Sequence, residues 1–189
     1  RQVEAARARL EAESAELHAA LARVRTAASA PVQPDGPAEL PQQLLSVPYG
    51  EVPLTPARIE ALRTFVADLE RGDFRGTVRV ETVPGIFCLT GDAEHGYSLA
   101  EPSLRASQCD LRGNPFDDAL GAAARQPVAF ANLAASLRRR TADAIEMVLV
   151  QGGAGQVLAP YPDPAEATAG EWNRIARANS RVAISTAPR

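Results

Sequence analysis

The chain has 189 residues, 46% of them hydrophobic, with a formal net charge of −3 and a pI near 5.5. That length buries one good core and carries one appendage, while the acidic balance offers no basic patch with aromatic platforms and so argues against nucleic acid as a partner. No apolar run approaches the ~18 residues of a membrane span, and the all-arginine set of 20 basic residues is read as compositional bias, not mechanism.

Residues 1–29 are almost all helix formers. Val3, Leu10, Leu17 and Val24 recur in heptad spacing, with Arg7 and Ser14 where a second apolar seam belongs. The pattern predicts a helical stalk, either a short coiled coil that drives homodimerisation or a lone solvated helix. The chain starts at Arg1 with no signal peptide, from which an upstream segment, a membrane anchor with an inner-membrane partner, is expected. Residues 30–43, with Pro31, Pro34, Gly36, Pro37 and Pro41, read as a linker. The folded domain is expected over 44–189.

Leu44 to Val52 is a candidate first strand, which Pro48 and Pro53 restrict to an edge or a bulge. Leu54 to Gly85 reads as helix, turn, strand. Thr55 before Pro56 is a hydroxyl cap followed by proline at the first helical position. Ile59, Leu62, Phe65, Val66 and Leu69 then form one apolar face, Gly72 stops the helix, and Gly76 opens the alternating strand Thr77, Val78, Arg79, Val80, Glu81.

Ile86 to Gly113 lacks periodicity and reads as an irregular insertion with one short strand near Ile86 to Leu89. It holds both cysteines, Cys88 and Cys109, for which a disulfide is favoured over two buried thiols because a loop-rich segment gains most from a staple. A disulfide implies an oxidising compartment. Asn114 to Arg140 is helical, and Pro127 predicts two helices or a bend. Ala144 to Val150 is a near-continuous apolar run suited to a central strand, closed by Gly152, Gly153 and Gly155. After a proline-rich loop, Thr168 or Ala169 starts a last helix through Trp172 and Ile175, and Arg181 to Ser185 forms a final strand.

Little chemistry is visible. His18 and His95 stand in the stalk and the insertion, which does not support a zinc site. Cys88 with His95 fixes no catalytic geometry. Asp117 with Asp118, and Glu166 with Glu171, fit helix starts, where the backbone dipole favours acids. The Gly152 to Gly155 stretch lacks the lysine and hydroxyl of a phosphate loop, and Trp172 reads as core. No catalytic residue, metal ligand or cofactor is expected, and the chain reads as non-enzymatic.

The element order is strand, helix, strand, insertion, helix, strand, helix, strand, an α+β sandwich with helices on one face of a mixed sheet. Residues 44–185 resemble the C-terminal domain of the OmpA/MotB family. The resemblance rests on LTPARIEAL before the amphipathic helix, on the strand TVRVE, on the Gly-containing strand exit after Val150, and on Asn179, Ser180, Arg181, Val182, Ala183, Ile184 near the end. It implies a βαβαβ sandwich, a periplasmic location with an inner-membrane tether, and peptidoglycan as ligand. The family's ligand pair is an aspartate at the exit of the second strand and an arginine on the next helix, which together hold diaminopimelate. Here Thr82, Val83, Pro84, Gly85 replaces the run that ends in the acid, and Arg125 stands one position late for the arginine. The resemblance thus implies a degenerate peptidoglycan site with Arg125 its surviving member, or a protein–protein scaffold that has lost the ligand. A retained acid close to Arg125 in space, with Asp92 or Asp110 of the insertion as candidates, would favour the first, and an apolar or occluded site the second.

Overall fold

The computed structural model describes residues 42–189, which lie within one compact unit, Leu40–Arg189. The stalk positions Val3, Leu10, Leu17, Val24 and His18, and most of the predicted linker, lie outside the described residues. The described chain is mixed α+β, with two sheets and five α-helices. In order these are β1 (Gln42–Ser46), α1 (Pro56–Arg71), β2 (Gly76–Val83), β3 (Phe87–Asp92), β4 (Gly96–Leu99), β5 (Leu111–Gly113), α2 (Pro115–Asp118), α3 (Ala122–Arg125), α4 (Val128–Arg140), β6 (Ile145–Gln151), α5 (Ala169–Asn179) and β7 (Arg181–Pro188).

The larger sheet has the order β1-β7-β2-β6. β7 runs antiparallel to both β1 and β2, while β2 and β6 are parallel, so the sheet is mixed. Alternation decides its faces. Val78, Val80, Val182, Ile184, Ile145 and Met147 point into a core closed by Leu62, Val66, Phe130, Leu133 and Leu137 of α1 and α4. Arg79, Glu81, Val148 and Ser185 fall on the opposite face by the same period-two rule.

α1 forms as its sequence dictates. The Thr55 hydroxyl accepts a hydrogen bond from the Arg58 N–H, Pro56 opens the helix, and Gly72 closes it. β1 is an edge strand, but it begins at Gln42 and ends at Ser46, before Pro48. The predicted strand to Val52 stops short because Arg58 takes over the backbone there, donating from Nε to Ser46 O at 3.0 Å and from Nη1 to Val52 O at 3.0 Å.

Three further expectations are corrected. β6, read as central from its apolar run, is an edge strand bonded, among the described residues, to β2 alone; its side chains are apolar because α4 covers one of its faces, not because strands flank it on both sides. The region 114–140 makes three helices, not two, since Gly121 and Pro127 each hold extended backbone and Gln126 before the proline leaves the helical region. The insertion is not irregular: it builds a three-stranded antiparallel sheet, β4-β3-β5. Its hairpin needs glycine at Gly91, where φ is +123° and a Cβ would lie 2.2 Å from the Gly96 carbonyl oxygen.

α5 packs against this second sheet and ties it to the rest of the chain. Cys88 and Cys109 are disulfide-bonded with Cα atoms 5.4 Å apart, and Cys88 is wholly buried beside Ala169 and Trp172. The Asn173 amide serves as a surrogate strand, accepting from Cys88 N–H at 2.7 Å and donating to Cys88 C=O at 3.0 Å. Thr168 and Glu171 form a reciprocal capping box at the start of α5.

Candidate functional site

The site implied by the sequence lies where β2 leaves the larger sheet and β7 enters it. A small cleft there is lined by Thr82, Val83 and Pro84 together with Val47, Glu51, Asn114, Asp117, Ser180 and Arg181. Its free volume is about 10 Å³, room for roughly one water molecule.

Gly85, where the resemblance would put an acid, has no space for a side chain. A Cβ there would lie 2.3 Å from the Ala176 carbonyl oxygen and 2.9 Å from Ser180 Cβ. Neither neighbour is free to retreat, because the Ala176 carbonyl accepts the Ser180 N–H at 2.8 Å, the bond that closes α5. The next residue is clamped as well. Ile86 N–H donates to the Tyr161 hydroxyl at 2.8 Å, and Trp172 Nε1 donates to Ile86 C=O at 2.8 Å. Tyr161 and Trp172 stack with centroids 4.8 Å apart, and the Arg112 guanidinium sits 5.7 Å from the Trp172 ring. Trp172 is buried as expected, and its ring holds the crossover from β2 to β3 against α5.

Arg125 ends α3, and its guanidinium is already occupied. Nη1 faces Asp117 Oδ2 at 3.3 Å, Nη2 donates to Asp117 C=O at 2.5 Å, and Nε donates to Leu120 C=O at 3.1 Å. These contacts tie α3 to α2 across the Gly121 break. The fork geometry that suits a ligand carboxylate is spent on the chain itself. Arg125 does have an acid beside it, Asp117, while Asp92 and Asp110 are engaged elsewhere. Asp110 accepts from Gly91 N–H at 3.0 Å. Asp92 caps the β3–β4 turn, and hydrogen bonds from the His95 N–H and then its ring hold the Asp92 carboxyl below the usual range.

Asp117 and Arg181 give the cleft one anion and one cation, but both are committed. Arg181 Nη1 donates to Asn179 C=O at 2.8 Å and Nη2 to Gln156 C=O at 3.2 Å, and Glu51 pairs with Arg58 Nη2 at 2.9 Å. Asn179, buried beneath them, accepts from Leu158 N–H at 2.7 Å and Ala159 N–H at 2.9 Å and donates to Ala159 C=O at 2.8 Å. The terminal stretch that carried the resemblance therefore pins the loop after β6 in place. Among the described residues, no group of three or more His, Cys, Asp and Glu side chains is placed to hold a metal ion. His95 is exposed at the tip of the β3–β4 turn, far down the strand from Cys88, whose sulfur is in the disulfide.

Sequence reasoning missed Asp117 as the partner of Arg125, having assigned it to a helix start. Both roles are real: the Asn114 side chain caps α2, and Asp117 sits in its first turn. The signal was local, since an acid eight positions before an arginine, with a glycine break between, allows the two short helices to fold against each other. No family model matches the chain, and no curated protein matches it.

Proposed function

We propose that this chain is a non-enzymatic, OmpA/MotB-like module of the periplasm, tethered to the inner membrane, which works as a protein–protein scaffold and has lost peptidoglycan binding. The four-stranded mixed sheet with α1 and α4 on one face agrees with the βαβαβ sandwich of that family. The disulfide between Cys88 and Cys109 suits an oxidising compartment. The observation that carries the loss of ligand is Gly85: its Cα faces the Ala176 carbonyl so closely that no anion-bearing side chain fits there. An ammonium group of a wall peptide would meet no partner at that point, and leaving one charged end unpaired costs on the order of 1–3 kcal/mol, or roughly ten- to a hundredfold in affinity.

A second reading, weak wall binding through a remodelled site, draws on the presence of Asp117 and Arg181 around one cleft. It requires both side chains to leave their present partners. Pelleting the full chain with purified sacculi separates the two. The scaffold reading expects no more protein in the pellet than with an unrelated acidic control. Saturable pelleting that is lost in Arg125→Ala or Arg181→Ala would overturn it in favour of a working, rebuilt pocket.

A further inference from the structure

The two edges of the larger sheet are unlike. β1 is five residues long and is followed by Pro48, features that discourage further strand pairing. β6 has seven residues, Ile145–Gln151, with no proline, no glycine, no basic residue and a single acid. Its hydrogen-bond parity is set at both ends. Gly76 N–H donates to Ala144 C=O and Gly152 N–H donates to Thr82 C=O, so the even-numbered residues of β6 turn their backbone groups toward β2. The odd-numbered residues turn theirs outward. Ile145 N–H is taken by the Thr141 hydroxyl at 3.3 Å, but the N–H and C=O groups of Met147, Leu149 and Gln151 have no partner among the described residues. An open ladder of this length is a template for another strand.

We propose that the β6 edge pairs with the β6 edge of a second copy of this chain, antiparallel about a two-fold axis at Val148, to make one continuous eight-stranded sheet. The parity admits that register. With Val148 opposite Val148 of the second copy, Met147 lies opposite Leu149, and the outward groups of both exchange hydrogen bonds. The charges admit it too. Glu146 falls opposite Val150 of the second copy, so no acid faces an acid, and Glu146 stays neutralised by Arg189 at 3.0 Å and Arg138 at 3.6 Å. Val148, 38% exposed on the face away from α1 and α4, gains an apolar neighbour at the close spacing of a non-hydrogen-bonded pair. An extended peptide of another protein would satisfy the same backbone groups but would not bring two copies of Val148 together.

The native cysteines are paired and the described residues hold no free thiol, so an introduced cysteine reports alone. In full-length protein under mild oxidation, Val148→Cys is expected to give a disulfide-linked dimer, because the two Cα atoms would sit about 4.5 Å apart. Glu146→Cys, on the same face of the same strand, is expected to give at least about tenfold less, since its Cα atoms would lie about 14 Å apart in this register. Association through residues 1–29 would not reproduce that contrast. Equal yields at the two positions, or no dimer from Val148→Cys up to the solubility limit, would overturn the proposal. A second measurement needs no cross-link: mixing Val148→Lys with Val148→Glu should give mixed dimers in excess of the statistical share in native mass spectra. A statistical or wholly monomeric distribution would overturn it equally.

Discussion

Replacing Gly85 by alanine tests the steric argument on which the functional reading rests, without introducing charge. The φ of Gly85 is not in the left-handed region, so alanine meets no backbone strain there, only a lack of space. The added methyl would start 2.3 Å from the Ala176 carbonyl oxygen and 3.1 Å from its carbon. Relief requires the end of α5 to move away from the β2–β3 crossover, yet Ile86 is bonded to Tyr161 and Trp172, and Ser180 is bonded to Ala176. Overpacking in tight sites costs about 1–3 kcal/mol, and with the Ala176 backbone directly against the methyl the upper end, about 3 kcal/mol, applies. At about 3 °C per kcal/mol for a domain of this size, Gly85→Ala should melt about 9 °C below the parent chain. The assay is thermal unfolding followed by circular dichroism under non-reducing conditions. Gly85→Asp should fall at least as far and should gain no pelleting with sacculi. If Gly85→Ala melted within about 2 °C of the parent, the crossover would have slack, and the claim that an acid cannot be accommodated there would fail.

Reducing the disulfide, or replacing both Cys88 and Cys109 by serine, should cost about 3 kcal/mol, the chain-entropy value for a loop of 21 residues; unchanged urea midpoints would show that the second sheet is held by packing alone. Asn173→Leu should cost about 1–3 kcal/mol, because it orphans the buried Cys88 N–H while Cys88 C=O keeps its bond from Ala100. Amide hydrogen exchange should then quicken in β3 first, and exchange that quickened uniformly would argue against a local role. Glu171 has its carboxyl held below the usual range, first by the Thr168 N–H and then by the Thr168 hydroxyl. A depressed folded value means that its contribution is present above the unfolded value of about 4.5 and disappears as pH falls through the folded one. Glu171→Gln should therefore melt lower than the parent at neutral pH and converge with it in acid; a constant difference across that range would show that the charge does not contribute.

Sequence by itself determined the elements whose causes are local. Thr55 and Pro56 start α1, its apolar spacing selects the buried face, and Gly72 ends it, all within one stretch of chain. The same holds for β2, whose alternation assigns Val78 and Val80 to the core, and for α5, whose capping box lies between Thr168 and Glu171. The pairing of Cys88 with Cys109 was legible because two cysteines have one intramolecular partner each. What the tertiary structure decided depends on groups distant in sequence. An apolar run such as Ile145 to Val150 reports that side chains are covered, and α4 covers them, but side chains carry no record of how many strands the backbone touches. The insertion looked shapeless because much of what holds it, Trp172, Asn173 and Tyr161, comes from far along the chain. At the candidate site the resemblance singled out Gly85 and Arg125; only the fold, by seating the Ala176 carbonyl against the one and Asp117 against the other, showed that both positions are already occupied by the protein's own atoms.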